Sequence, residues 1–529
     1  MKTLLFNGKV RISKNNFTYA VGFNSRTGII TFTGSKEESE NVKAEFDEVI
    51  DLGQRLVLPA FTEGHCHFIQ GSFKNSQLNL RDARTKNDFI KGIREFKKKN
   101  GDKWIYGGFF SETNFTEDIK LDRHFLDEIL PDTPMIISRF DIHSGIANSK
   151  ALELSGFLNS GNEKTSDFTK EEIIRNEKGE LTGEVKERAG DFILDRIPLA
   201  SLKERADVAI EQMRKFHALG ITAISDITLF EDLEIYKEMI SRNEMQLRVD
   251  ARLPFQEIDN IKNYRDEFSS LSGMIQFQSL KAFYDGSLSS RTALMHDNYK
   301  NTDHNGIKTE FVNSGEFEKF AYRIDEAGLQ MSVHAIGDKA VSDLLDLNIE
   351  LIKKSGQKDR RFRIEHAQHI QEKDFRRFKD LNVIASVQPT HLFSDAKTAM
   401  EILSDPSSEH NYKKLFDIGA QVCFGTDFPI VGESPFETIY FAMTRKAPGF
   451  EHGFYPEYNI SLDDCIDAYT VNNAYATFNE NETGCLSVGK TADIIVMEND
   501  LFEMTGEEIR DAKVYETYFG GMKVYSNKY

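Results

Sequence analysis

Apolar residues along this chain fall into two textures. From residue 1 to about 58, and again beyond about 476, short apolar runs alternate with turns. Between them, strand-like apolar runs alternate with amphipathic stretches of helical period. In the first texture, residues 3–6, 9–12, 29–32 and 48–51 read as strands, and Asn7-Gly8 predicts a hairpin joining the first two. Residues 492–497, 514–519 and 522–525 read the same way near the other end. Either end alone offers too few strands to bury a face, so residues 1–58 and 476–529 are expected to build one composite β-sandwich.

The middle, residues 59–475, has a different grammar. Ser201-Leu202-Lys203-Glu204 is a capping-box pattern that opens a helix running to Leu219; Gly220 stops it, and residues 221–225 continue as a strand. A helix over about 315–327 likewise stops at Gly328 and leads into residues 329–334. With the runs at 56–67, 247–252, 277–283, 362–366, 383–387 and 421–427 this makes eight strand candidates. Strands alternating with helices predict an α/β fold, a (β/α)8 TIM barrel. Residues 74–200 are too long for one crossover and carry their own strand and helix signals. They are expected to form an inserted lobe after the first barrel strand, closing over the barrel mouth. Its Trp104, Tyr106, Phe109 and Phe110 are candidates for lining a pocket there, or for a plain aromatic core.

Charge and cysteine usage narrow the function. A net charge of -19 excludes a nucleic-acid surface, which needs clustered Lys and Arg. The four cysteines are widely spaced, which fits a reducing cytoplasm rather than a disulfide framework. The N-terminal apolar run is too short for a signal peptide, and no stretch reaches membrane-spanning length. The expected partner is a small-molecule substrate, with neither nucleic acid nor membrane, and a homodimer is the default association.

The first strand run ends in His65-Cys66-His67. Alternation along a strand sends both imidazoles to one side, where they can close on one ion. A bare His-x-His can also be a solvated strand end, but further runs end in potential ligands: Lys281, His334, His366 and Asp427. In a barrel these lie at the C-terminal strand ends, where such enzymes place their chemistry. Imidazole and carboxylate suit zinc and its neighbours in the series. Alternation from Phe277 through Ser279 also puts Lys281 on the inward face, where an uncompensated ammonium among cations is costly.

Taken together, His65-Cys66-His67 after Leu58-Pro59-Ala60-Phe61, Lys281-Ala282-Phe283-Tyr284-Asp285-Gly286-Ser287, Val333-His334-Ala335-Ile336-Gly337-Asp338, Arg363-Ile364-Glu365-His366-Ala367-Gln368 and Gly425-Thr426-Asp427-Phe428-Pro429 resemble the metal-dependent amidohydrolase superfamily. The nearest branch is the YtcJ-like one that includes N-substituted formamide deformylases. The resemblance extends to Asp141-Ile142-His143-Ser144 in the lobe and to the tail around Gly484 to Asp493. It implies His65, His67 and Asp427 on one metal, His334 and His366 on a second, and Lys281 as a carboxylated lysine bridging them. The ions would be divalent, two zincs by preference, with manganese or iron as alternatives. Where the branch commonly has Ser-Asp-Ala-Pro, this chain has Thr426-Asp427-Phe428-Pro429, which brings a bulkier ring near the mouth.

The expected reaction is hydrolysis of a carbon–nitrogen bond in an amide, formamide or cyclic amide, not a peptide, with Asp427 moving the proton. His143 is a candidate catalytic or carbonyl-holding residue; Arg291 and Asp285 are candidate substrate contacts. If Lys281 were an ordinary ammonium, Asp285 would instead be its ion-pair partner. Two rivals stand: a mononuclear deaminase of the same superfamily, and a non-catalytic scaffold. The deaminase needs a carboxylic acid a turn after a strand histidine, and after His334 this chain reads Ala335-Ile336-Gly337-Asp338.

Overall fold

Eight parallel strands organise most of the chain: β1 (Phe61–Cys66), β2 (Ile221–Ile227), β3 (Arg248–Pro254), β4 (Ser279–Phe283), β5 (Gln330–Ala335), β6 (Arg363–His366), β7 (Ile384–Val387) and β8 (Gln421–Phe424). Each pairs in parallel with the next. The ring closes just past β8, where Asp427 N donates to His65 O and His67 N donates to Phe428 O, both at 2.7 Å. The computed structural model describes residues 1–158 and 164–528. All eight strands fall on the apolar runs, because strands buried on both faces carry almost no polar alternation; β6 and β7 are buried at every position.

The helix Leu202–Ala218 opens on the expected cap, with Ser201 N donating to Glu204 Oε2 and Glu204 N to Ser201 Oγ. It ends before Gly220, whose φ of +79° and whose approach to Ile495 leave no room for a side chain. One local expectation fails at β4. The strand is interrupted after Ile275–Gln276, and Phe277 turns away from the Lys281 face to pack on Phe268 and Tyr264 of the helix Ile261–Leu271.

Strands from both chain ends share one six-stranded sheet, ordered Met522–Ser526, Val514–Phe519, Ile494–Met497, Leu56–Pro59, Lys9–Ser13, Asn16–Thr18. A second sheet of four holds Ile29–Gly34, Ala20–Asn24, Lys2–Phe6 and Glu48–Asp51. Leu5, Val21, Phe23, Val57, Ile494, Val496 and Tyr518 belong to one core with residues from both. The hairpin expected at Asn7-Gly8 is not formed. Lys2–Phe6 pairs with Ala20–Asn24 in one sheet and Lys9–Ser13 with Asn16–Thr18 in the other. The turn, with Asn7 at φ +56°, carries the chain between sheets because both flanking runs face the shared core.

Residues 72–208 form a separate compact unit. Its six-stranded sheet runs Ile173–Arg175, Leu181–Lys186, Ser144–Ala147, Met135–Arg139, Ile105–Phe110, Leu78–Asn79. One apolar cluster includes Phe89, Phe110, Phe125 and Leu126; another includes Leu152, Phe157, Val185 and Ile193. Among the described residues no helix is long and apolar enough to cross a membrane, and Cys66, Cys423, Cys465 and Cys485 are all free thiols.

Candidate metal centre

The C-terminal ends of β1, β5, β6 and β8 bring four histidines and an aspartate together. His65, on β1, is fully enclosed; its Nδ1 donates to Glu365 Oε2 at 2.6 Å, which leaves the Nε2 lone pair free, 3.4 Å from Asp427 Oδ1. His67 Nε2 lies 3.5 Å from the same oxygen. His334 Nε2 donates to Gly286 O at 3.0 Å, so its free lone pair is on Nδ1. The His366 ring centroid is 4.4 Å from that of His334 and 5.1 Å from that of His65. Asp427 belongs to two clusters whose ligand atoms lie within 4.8 Å of one another, His65–His67–Asp427 and His366–His391–Asp427.

Close approach of β1 to β8 builds this corner. A Cβ on Gly64 would sit 2.4 Å from Phe424 O, and one on Gly425 would sit 2.4 Å from His65 N. Asn473 Nδ2 donates to Thr62 O and Phe424 O, at 2.7 and 2.9 Å, and ties the two strands. Beyond the strand ends the backbone turns sharply: His366, Ala367 and Asp427 have φ of +71°, +43° and +66°. Non-glycine residues in this region hold strain, which collects where side chains must be aimed.

Protonation states suit a cation. Burial holds His334 neutral, down to about 3, with Lys281 adding to the effect, and burial also pushes His366 down. Burial alone would raise Asp427, but the imidazoles of His391, His65 and His67 around it override this and hold the carboxylate well below its usual range. Lys281 is buried and lowered to about 7 by desolvation, against the pull of Glu365. Among the described residues its Nζ has one hydrogen-bond partner, Ala282 O at 3.4 Å, and it lies 4.2 Å from the Phe283 ring centre. Four imidazoles, two of them (His65 and His334) with the other ring nitrogen engaged, stand beside an ionised carboxylate and form the donor set a divalent metal requires. The residues present fit such an ion.

Residues 48–525 match the family model of the amidohydrolase family. The chain belongs to the amidohydrolase family. It is similar to protein LONG AFTER FAR-RED 3 of Arabidopsis thaliana, 29% identical over 99% of this chain and 91% of that protein. It is similar to YtcJ of Bacillus subtilis, 26% identical over 94% of each chain. N-substituted formamide deformylase of Arthrobacter pascens is 24% identical, over 99% of this chain and 98% of that one. A crystal structure of an uncharacterized metal-dependent hydrolase from Pyrococcus furiosus shares the fold, with a TM-score of 0.73 and 24% identity over 94% of this chain and 99% of that one.

In this chain the other residues singled out in the sequence take different places. Asp285 is fully occupied: its oxygens accept from Leu294 N, Ile336 N and Gly337 N at 2.9–3.1 Å, and Oδ1 lies 3.6 Å from His334 Nε2. It organises the loops around His334 rather than facing a substrate. Three backbone amides fix it, and among the described residues it forms no ion pair with Lys281, whose Nζ bonds Ala282 O instead. Arg291 is exposed on the loop after β4, at φ +56°. It is not among the residues lining the cavity at the strand ends. His143, in the separate unit, is 69% exposed, with Nδ1 3.2 Å from Glu187 Oε2. In that unit Phe110 is in one apolar cluster, while Trp104 and Tyr106 pack on the other.

Two further residues at the site carry no assignment from the sequence. His391 Nε2 lies 3.3 Å from Asp427 Oδ2. It follows β7 in Gln388-Pro389-Thr390-His391, so the signal was a histidine after the seventh apolar run, masked by the intervening proline. Glu365 lies within a quoted motif, yet its role depends on partners far away in the chain: Arg252 at 2.8 Å, Arg363 at 2.9 Å and Ser332 at 2.6 Å, besides His65. Burial would raise Glu365, but the two guanidiniums hold it ionised, well below its usual range. It is a fixed negative charge behind the ligand set.

Proposed function

We propose that this amidohydrolase cleaves a carbon–nitrogen bond of a non-peptide amide or formamide, using two divalent ions. The observation that carries this reading is Asp427, with Oδ1 turned to His65 and His67 and Oδ2 to His391, at the rim of a cavity of about 390 Å³. His65, His67 and Asp427 would hold one ion, and His334 and His366 the other. The ions would supply the Lewis acidity that polarises the carbonyl and makes water a nucleophile near neutral pH.

The chain's own groups do the rest. Asp427 accepts the proton of the attacking water and hands it to the departing nitrogen. His391, kept above its usual pKa by Asp427 despite burial, stands with Nε2 3.3 Å from Oδ2 and biases which oxygen faces the substrate. Glu365 holds the His65 tautomer. Lys281, lowered to about 7 and so partly uncharged near neutrality, has in that form the lone pair needed to add to carbon dioxide; the new nitrogen–carbon bond and loss of one proton would give a carbamate anion able to bridge two ions. The similarity to a formamide deformylase supports the substrate class.

The deaminase rival needs an acid facing the site after His334. Asp338 instead accepts from His296 N at 2.8 Å and from Gln371 Nε2. The test combines metal analysis with a screen of N-formyl and N-acyl amines. About two ions per chain and turnover of at least one amide are expected. Loss of both in Lys281→Ala, partly restored by a short carboxylic acid, would support the carbamate. A Lys281→Ala enzyme that keeps two ions and full turnover removes the bridge, and a wild type holding no ion sinks the hydrolase reading.

A further inference from the structure

The cavity at the strand ends has one more carboxylate than the proposed chemistry uses. Its lining includes Asp427 and the histidines, Phe283, Leu288, Ile336 and Ile430, and also Ser394 and Asp395. Among the described residues no lysine or arginine lines it. Asp395 stands in the first turn of the helix Leu392–Ile402, half-buried, four positions beyond His391. That spacing places it one helical turn from the histidine that orients Asp427.

Asp395 is held in place by neutral donors. Its Oδ2 accepts from Gln368 Nε2 at 2.9 Å and its Oδ1 from Ser394 Oγ at 3.0 Å. Gln368 is 2% exposed and donates its other amide hydrogen to Glu409 Oε1 at 2.9 Å. Two carboxylates therefore compete for the same –NH2 end, which fixes the amide's orientation and aims Asp395. Glu409 takes the nearby charge: His369 Nε2 lies 3.1 Å from its Oε2, and His410 Nδ1 contacts its Oε1. A ring nitrogen of His410 also lies within 4.8 Å of a carboxylate oxygen of Asp395, but the Nδ1 contact is to Glu409. Asp343, elsewhere in the barrel and 15% exposed, pairs with Lys308 and Lys339. Asp395 has no such cation among the described residues.

A half-buried carboxylate hydrogen-bonded to neutral donors, fixed at the wall of a cavity that no lysine or arginine lines among the described residues, is an acceptor awaiting a positive donor. We propose that Asp395 is a specificity-determining residue that binds an ammonium or other cationic group carried by the substrate's amine portion, a few bonds from the nitrogen released. This rests on the hydrolase reading and refines it. The preferred substrates are N-acyl or N-formyl derivatives of diamines and similar basic amines. Amides ending in a carboxylate meet like charge there and are disfavoured.

The experiment uses the metal-loaded full chain and three N-formyl amines of matched length, ending in an ammonium, a methyl group or a carboxylate. Wild type should favour the ammonium over the methyl by about ten- to a hundredfold in kcat/KM, the range of a charged hydrogen bond. In Asp395→Asn that ratio should fall towards one, while Asp395→Glu, which keeps the charge, should retain a preference of the same sign. Each ratio is measured within one preparation, so a partly folded variant does not disturb it. In parallel, calorimetry measures binding of the corresponding diamine and monoamine. Were no formamide turned over, the hydrolase reading would fail, yet the diamine should still bind about tenfold tighter than the monoamine. Equal binding of the two, no detectable binding of either, a carboxylate preference, or an unchanged ratio in Asp395→Asn overturns the proposal.

Discussion

Glu63 on β1 and Glu365 on β6 are both fully buried, and both hold His65, the first at its backbone N–H (2.9 Å) and the second at Nδ1 (2.6 Å). Their surroundings differ. Glu365 meets Arg252 and Arg363 and is ionised. Glu63 accepts from two backbone amides, His65 N and Thr426 N, with no guanidinium beside it among the described residues, and burial pushes its pKa up to about 8. Burial acts on both with the same sign, so what separates a charged glutamate from a neutral one is the nearby guanidinium groups. The wall from β3 to β6 is an ionic support; the β1–β8 junction is a neutral, hydrogen-bonded one.

Substitution at Glu365 should have the largest effect. Glu365→Leu leaves Arg252 and Arg363 buried without their anion, and urea unfolding of the metal-free protein should show a loss of about 3–5 kcal/mol. An unchanged stability would break the contrast at its charged side.

Next comes the pH response of the neutral side. The folded state keeps a proton on Glu63 that the unfolded chain releases above about 4.5, so this contribution is complete below that pH and is lost as pH rises through about 8. Stability of metal-free wild type should fall between those values with a slope from this group of about 1.4 kcal/mol per pH unit. Glu63→Gln, which keeps the acceptor oxygen, should remove that slope. Parallel pH profiles for wild type and variant would show Glu63 to be ionised like Glu365.

A smaller effect tests the support given to the ligand. Glu365→Gln retains shape but not charge at His65 Nδ1, and competition with a chelator should show metal affinity weakened about 10- to 100-fold. The smallest belongs outside both regions. Arg291→Ala, at an exposed side chain, should change stability by no more than about 0.5 kcal/mol in the same urea titration. A larger loss would assign Arg291 a partner that the present geometry does not give it.

The barrel was readable because its strands are apolar on both faces, and His65, His67, His334, His366 and Asp427 were readable because each ends such a run. His391 was hidden by Pro389, which separates it from its strand. The Asn7-Gly8 turn shows the limit of local rules. Its dipeptide suits a tight turn, but which strands pair across it depends on the core that Leu5 and Val10 share with Val57 and Ile494.

Residue types and spacing were enough for the positions of the barrel strands and the kinds of ligand at their ends, since burial pattern and strand periodicity are properties of short segments. They were not enough for which acids are charged, which way each imidazole carries its proton, or that Asp395 lines the cavity. Those follow from desolvation and from charges that folding brings together across the chain. Glu365 meets His65 from 300 residues away, and only the closed barrel makes them neighbours.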